Sequence, residues 1–146
     1  IAKLTKAGFQ VFVATNQAGI ARGKLSIVEL DIIHQRMLNE VEQLGGRIVD
    51  IRYCPHHPDD HCNCRKPAPG MLLELAKIYN LDLSMGYFVG DSIKDLQAAK
   101  AAGCKGVLVL SGNGHESLKL IPDFKPVHKD LAAFASHLLY LTRHPN

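Results

Sequence analysis

Three of the four cysteines lie within eleven residues of the chain, with a histidine between them. They occur as Cys54-Pro-His56 and Cys62-Asn-Cys64, two pairs separated by five residues. Zn²⁺ takes four nitrogen or sulfur ligands in a tetrahedron, and a closed set of three cysteines and one histidine is typical of a structural site. Residues 54–64, called here the metal loop, therefore predict a zinc site with Cys54, His56, Cys62 and Cys64 as ligands.

Each of these residues also has a simpler interpretation. A cysteine is often a small buried apolar residue, and a disulfide from the first cysteine of the metal loop to either of the other two is sterically possible. The equal one-residue gaps favour His56 as the nitrogen ligand, and His57 and His61 are expected to be solvated loop residues. Cys104, in an Ala-Ala-Gly-Cys-Lys turn, is expected to be a core thiol.

Two cations follow the metal loop directly, as Arg65-Lys66-Pro67. A lone Arg-Lys pair is most often a solvated surface patch, but attachment to a metal-bound cysteine restrains the backbone that carries it. Arg and Lys bind phosphate oxygens, and they also balance the negative charge of three thiolates on one Zn²⁺. The pair is therefore predicted to bind phosphate, to stabilise the metal site, or to do both.

The hydrophobic pattern predicts strands that alternate with helices. The predicted strands span residues 9–14, 49–53, 87–90, 106–110 and 125–128. Residues 1–8 are predicted to be the end of a helix, and a helix with a capping box is predicted from Ser26 to the glycines at 45 and 46. Further helices are predicted at 69–79, 93–102, 116–120 and 131–141. This alternation implies an α/β fold with a Rossmann-like parallel sheet and helices on both faces.

Length and composition limit the function classes. A chain of 146 residues with 47% hydrophobic content is long enough for one such domain, expected to span residues 1–146. The net charge of +3 is small and spread along the sequence, which does not favour nucleic-acid binding. No apolar run reaches the roughly 18 residues of a membrane span, and no signal peptide is expected. Metal-binding thiols suit a reducing compartment, so we expect a cytoplasmic monomer.

Polar residues follow the predicted strands at the sheet edge where parallel sheets bind ligands. The first strand leads into Thr15-Asn-Gln-Ala-Gly19, which offers a hydroxyl and backbone amides to phosphate oxygens, although such residues also form ordinary turns. The third strand ends at Gly90-Asp91, with Asp95 four residues later. Mg²⁺ usually takes one or two carboxylates from a protein, and Asp91 is the predicted ligand. Asp95 is either an orienting group or an N-terminal helix charge.

Together these residues resemble the motifs of the haloacid dehalogenase-type phosphatases, and the chain is similar to their zinc-bearing subgroup. Thr15 matches the second motif of the family, Lys66 the third, and Gly90-Asp91 with Asp95 the fourth. The resemblance is carried by residues 13–24, 53–58, 62–67 and 70–73, and it fades after about residue 110.

The resemblance implies a Mg²⁺-dependent phosphatase acting on a phosphorylated sugar in lipopolysaccharide precursor synthesis. The resemblance further implies that an aspartate attacks phosphorus and forms a phospho-aspartate, which water then hydrolyses. Thr15 would hydrogen-bond the phosphoryl group, Lys66 would offset its developing charge, and Asp91 would hold Mg²⁺. The implied substrate-binding residues are Asn16, Gln17, Ala18, Arg65 and Ser92.

One motif departs from the family pattern. Asp-x-Asp-Gly-Thr, which supplies the nucleophile on a central strand between the predicted strands 9–14 and 87–90, occurs nowhere in the sequence. The 146 residues alone are therefore expected to be inactive, and roughly 40 to 50 residues are expected to precede them. The alternatives are a phosphatase of histidinol phosphate and a non-catalytic, zinc-stabilised binding module.

Overall fold

The computed structural model describes residues 1–145, which divide into two compact units, one spanning Ile1–Cys62 and the other beginning at Asn63. Among these residues, no helix is both long enough and apolar enough to cross a membrane. The single domain predicted for residues 1–146 stays a prediction.

The first unit contains two paired parallel strands and three helices. Its elements are α1 (Ala2–Lys6), β1 (Phe12–Asn16), α2 (Ala18–Ala21), α3 (Ile27–Gln43) and β2 (Asp50–Cys54), followed by a 3₁₀ turn at Pro58–Asp60. In the parallel ladder Thr15 lies opposite Tyr53, and Asn16 lies opposite Cys54. The ends of β1 and β2 therefore place the predicted phosphate loop beside the start of the metal loop.

The capping box predicted for the long helix is confirmed. The Ser26 hydroxyl oxygen accepts the Glu29 N–H at 3.0 Å, and the Glu29 carboxylate accepts the Ser26 N–H at 2.7 Å. Leu30 on α3 is almost fully buried. The two hydrogen bonds satisfy donors that a helix start leaves without partners, which fixes where α3 begins.

The second unit contains a three-stranded parallel sheet in the order β3-β4-β5. Its elements are α4 (Gly70–Tyr79), β3 (Tyr87–Gly90), α5 (Ile93–Ala102), β4 (Lys105–Val109), α6 (Gly114–Leu120), β5 (Val127–His128) and α7 (Leu131–Arg143). Val107 and Leu108 on the central strand are fully buried, as are Ala98 and Ala99 on α5. A central strand whose buried residues are all apolar is typical of a parallel sheet covered by helices.

The predicted α/β class with parallel strands is confirmed. The strands form two sheets, and no hydrogen-bonded ladder joins β1 to β3 among residues 1–145. These are the two strands between which the resemblance places the Asp-x-Asp-Gly-Thr strand, a motif that this sequence does not contain.

The first strand was predicted three residues too early. It spans Phe12–Asn16 because Phe9 still donates its N–H to the Leu4 carbonyl at 3.1 Å, so that this part of the chain closes α1. Thr15 and Asn16 are therefore the last residues of β1 and do not follow it. The one-turn helix α2 was not predicted at all, since four residues carry no readable hydrophobic period.

Candidate metal centre and phosphate site

The four predicted zinc ligands lie together in the metal loop. One ligand atom from each of Cys54, His56, Cys62 and Cys64 is within 4.8 Å of the others, and these residues could hold a metal ion. The Cys54 sulfur lies 3.5 Å from His56 Nδ1 and 3.5 Å from the Cys62 sulfur. A tetrahedral site with Zn–S bonds of about 2.3 Å separates its sulfurs by about 3.8 Å. The donor set therefore fits Zn²⁺ in both chemistry and spacing.

One of the alternatives for the cysteines, a disulfide, is contradicted by the structure. None of the four cysteines forms a disulfide among residues 1–145, which excludes a disulfide within the metal loop. Cys104 lies outside the cluster and is partly buried, less so than the core position predicted for it. Burial raises the pKa of its thiol, which favours the protonated form and suits a packing role.

His57 and His61 are not part of the cluster. His57 caps the 3₁₀ turn, since its Nδ1 accepts the Asp59 N–H at 3.2 Å and its own N–H donates to the Asp60 carboxylate at 2.8 Å. His61 is exposed and has a left-handed backbone with φ of 49°. Both are loop residues, as the sequence predicts.

Thr15 is positioned by its neighbours at the end of β1. Gln17 Nε2 donates to the Thr15 hydroxyl oxygen at 3.2 Å, and the Gln17 N–H donates to the Cys54 carbonyl at 2.7 Å. The Thr15 hydroxyl donates to the Asn16 carbonyl, and the distance between the two oxygens is 3.5 Å. A bond of that length is weak, so the Thr15 O–H remains able to donate to a better acceptor.

Lys66 pairs with Asp95 at 2.6 Å, with 14% and 7% of the two side chains exposed. Asp95 Oδ2 also accepts the N–H and the hydroxyl of Ser92, at 3.1 and 3.0 Å, in a capping box that starts α5. Lys66 Nζ lies 5.5 Å from the centre of the Phe88 ring. Asp95 therefore acts as an N-terminal helix charge and also orients Lys66, a partnership that the sequence reasoning missed because the two residues are 29 positions apart.

Arg65, next to Lys66, has a buried guanidinium nitrogen, Nη1, without a hydrogen-bond partner among residues 1–145. Leaving a buried charged donor unsatisfied is costly. An anionic ligand would remove that cost.

Asp91 lies directly after β3. Its Oδ2 accepts the Asn113 N–H at 2.8 Å, and its backbone carbonyl accepts the Ser117 hydroxyl at 2.8 Å. A carboxylate has about four lone-pair positions, so a single hydrogen bond leaves oxygen lone pairs for a hard cation such as Mg²⁺. Sequence reasoning did not find Asn113 or Ser117, although the glycines around Asn113 mark a turn.

The predicted site residues thus occur in two groups. Thr15, Asn16, Gln17 and Ala18 lie at the end of β1 in the first unit, whereas Arg65, Lys66, Asp91 and Ser92 lie in the second. Their convergence on one phosphoryl group stays a prediction.

Comparison with known proteins shows the family. Residues 63–134 match the HAD-hydrolase-like family model. Over 140 residues the chain is 51% identical to the D-glycero-beta-D-manno-heptose-1,7-bisphosphate 7-phosphatase of Pseudomonas aeruginosa, covering 95% of this chain and 79% of that protein. The chain belongs to the heptose-1,7-bisphosphate 7-phosphatase family. The enzyme of that name from Bordetella bronchiseptica is 48% identical over 141 residues, covering 95% of this chain and 79% of the relative.

Solved structures of this phosphatase family have the same fold. The crystal structure of D,D-heptose 1,7-bisphosphate phosphatase from B. bronchiseptica, complexed with magnesium and phosphate, matches with a TM-score of 0.91 and 47% identity. The match covers 96% of this chain and 79% of that one. The corresponding enzyme from Burkholderia thailandensis matches with a TM-score of 0.72 and 36% identity, covering 95% and 81% of the two chains.

Proposed function

We propose that this protein removes the C7 phosphate of D-glycero-D-manno-heptose 1,7-bisphosphate in the synthesis of lipopolysaccharide precursors. The observation that carries the proposal is the match over 96% of the chain to the B. bronchiseptica phosphatase, whose crystal contains magnesium and phosphate. The Lys66 cation, the Asp91 carboxylate and the buried Arg65 donor supply the types of group that phosphoryl transfer needs.

The side chains of this protein act by stabilising charge. Negative charge develops on the phosphoryl oxygens during transfer, and donors that are already oriented stabilise it without reorganising. Asp95 holds the Lys66 ammonium in place, and Gln17 leaves the Thr15 hydroxyl free to donate. Arg65 and Ser92, with residues 16–18, are proposed to bind the substrate. No residue of this sequence is assigned as the nucleophile.

Two metals are proposed. Asp91 would hold Mg²⁺, a cation that neutralises phosphoryl charge when bound. The sulfur and nitrogen donors of the metal loop would hold Zn²⁺, and a closed set of four ligands leaves no position for a reacting water. We therefore assign zinc a structural role, which is to restrain the backbone that carries Arg65 and Lys66.

The names of the relatives also bear on the choice of substrate. The two relatives described above are named for heptose bisphosphate, and nothing among them favours histidinol phosphate. Cysteines of the metal loop that are not joined in disulfides suit a reducing compartment, so a cytoplasmic location is part of the proposal. A monomeric state and the absence of nucleic-acid partners stay predictions.

The test compares two substrates on the protein made from the complete reading frame, with Mg²⁺ present. We expect release of the C7 phosphate from the β anomer of heptose 1,7-bisphosphate, with a higher kcat/KM than for histidinol phosphate. An equal or higher kcat/KM for histidinol phosphate would overturn the substrate assignment. Failure to hydrolyse either compound would favour the non-catalytic binding module.

Lys66→Ala tests the catalytic site. Removing one charge-stabilising donor of this kind costs about 10²-fold or more in kcat, and we expect a loss of that size. The matched control is Lys100→Ala, which removes an exposed lysine from the last turn of α5 and is expected to keep near wild-type turnover. A Lys66→Ala enzyme with the turnover of this control would contradict the role of Lys66.

A further inference from the structure

The turn Ser111-Gly-Asn-Gly114, between β4 and α6, contacts the Asp91 side chain. The Asn113 N–H donates to Asp91 Oδ2 at 2.8 Å. From the middle of α6, the Ser117 hydroxyl donates to the Asp91 backbone carbonyl, also at 2.8 Å. Asp91 is therefore held at both its carboxylate and its backbone, by residues that have no part in the mechanism above.

Two independent features favour glycine at position 112 of this turn. Its φ of +62° lies in the left-handed region, which strains residues with a side chain. A Cβ added there would also collide with Asp91 Oδ2. A side chain at position 112 would therefore force the Asp91 carboxylate or the turn to move, which would disturb the hydrogen bond from the Asn113 N–H to that carboxylate.

The turn is fixed from the side opposite Asp91. The Leu110 N–H donates to the His128 carbonyl at 2.9 Å, and the Ser111 N–H donates to the Lys129 carbonyl at 3.2 Å. Ser117 is buried. The position of the turn is thus set by the β4–β5 pairing and by the packing of α6, which makes it a rigid support for Asp91.

We propose that Gly112, Asn113 and Ser117 are positioning residues that orient the Asp91 carboxylate for a divalent cation. The proposal rests on the proposed function, in which Asp91 binds Mg²⁺. One N–H bound to Oδ2 restricts rotation of the carboxylate, and the remaining lone pairs stay available to the cation. Groups that orient a metal ligand in this way typically change metal affinity about 10- to 100-fold when they are altered.

Mn²⁺ binding without substrate is the test. Mn²⁺ prefers the same oxygen ligands as Mg²⁺, and the free ion is counted by electron paramagnetic resonance. The protein from the complete reading frame, purified with zinc, is compared with its Gly112→Ala and Ser117→Ala variants. We expect the Kd for Mn²⁺ to rise about tenfold in Gly112→Ala and severalfold in Ser117→Ala. Ser117→Thr, which keeps a hydroxyl, should recover most of the affinity lost in Ser117→Ala.

Gly103→Ala is the matched control. Gly103 has a similar left-handed φ of +78°, but a Cβ added to it meets nothing within 4 Å. Both alanine variants should therefore lose thermal stability through backbone strain, and only Gly112→Ala should lose Mn²⁺ affinity. Equal Kd values in Gly112→Ala and Gly103→Ala would overturn the proposal. If Gly112→Ala does not fold, wild-type affinity in Ser117→Ala would overturn it in the same way.

Asp91→Asn separates this proposal from the function on which it rests. Weak Mn²⁺ binding in Asp91→Asn together with normal binding in Gly112→Ala and Ser117→Ala would refute the positioning role alone. Normal binding in Asp91→Asn would refute Asp91 as the cation ligand, and the proposal would then fail with it. A parallel rise in the Mg²⁺ concentration needed for half-maximal turnover, with the KM for sugar unchanged at saturating Mg²⁺, would support the positioning role.

Discussion

Lys66 and Asp95 form an ion pair that is largely closed to water, with 14% and 7% of the side chains exposed. Desolvating two charges offsets much of their mutual attraction, so such a pair is weak evidence for stability as a whole. Removing one partner is different, because the other charge stays largely buried and loses the attraction of that ion pair. This asymmetry links the stability of the second unit to the residue that we place in the phosphate site.

We predict that Asp95→Asn lowers the free energy of unfolding by about 3 kcal/mol, because the Lys66 ammonium loses its charged partner. Asparagine keeps one acceptor oxygen, so the start of α5 is disturbed less than the ion pair. The measurement is urea unfolding. The control is Glu116→Gln, which breaks an exposed pair with Lys119 and should cost less than about 1 kcal/mol.

A double variant checks the physical reason. Lys66→Met combined with Asp95→Asn removes both charges of the ion pair, so the double variant should be more stable than Asp95→Asn alone. Equal losses in the single and double variants would mean that Asp95 acts only as a helix cap.

At the scale of elements, β5 and α7 meet through aromatic rings. The His128 ring centre lies 5.4 Å from that of Phe134 and 5.2 Å from that of His137. Burial lowers the pKa of His128, and the charge of His137 lowers it further. Because the folded protein disfavours protonated His128, the imidazole of this residue takes up its proton at a higher pH in the unfolded chain than in the folded protein.

The sign of the pH dependence follows from this shift. The contribution of neutral His128 to the free energy of unfolding is fully present above the ordinary pKa of histidine, about 6.5. This contribution is lost as the pH falls through that value toward the lowered pKa of His128. We predict that His128→Gln reduces the fall in Tm between pH 7.5 and pH 5.5, measured by circular dichroism. His115→Gln, an exposed position on α6, should keep the wild-type fall. An identical fall in Tm in the wild-type protein, His128→Gln and His115→Gln would refute the prediction.

The elements that the sequence predicted well are those with local signals. The limits of β3 and α5 were predicted correctly, because Gly86, Gly90 and Gly103 bound apolar runs of the right period. The limits of β1 were wrong because the Phe9 N–H bonds back to α1, which no local pattern reveals. In the site, the sequence predicts the metal loop because its candidate ligands are close in sequence. The sequence does not predict the hydrogen bonds of Asp95 and Asn113 with distant partners, which are 29 and 22 positions away.

At the scale of the whole molecule, we propose that metal binding by the metal loop helps to restrain the backbone of Arg65 and Lys66. Metal binding is coupled to folding wherever the ligands are arranged only in the folded state. Cys54 is the last residue of β2, whereas Cys64 directly precedes Arg65. Losing the metal should therefore disturb the two cations before it disturbs Asp91, which is held by Asn113 and Ser117.

Cys62→Ser and Cys104→Ser form a matched pair, since each removes one thiol and only Cys62 belongs to the metal cluster. We predict that Cys62→Ser loses most of its zinc, measured by atomic emission, and that its KM for heptose bisphosphate rises while its Kd for Mn²⁺ stays unchanged. Cys104→Ser should keep about one zinc per chain, the amount expected for a single closed site. Equal zinc contents in the two variants would refute the metal loop as a zinc site. A normal KM in zinc-free Cys62→Ser would show that Arg65 and Lys66 hold their positions without the metal.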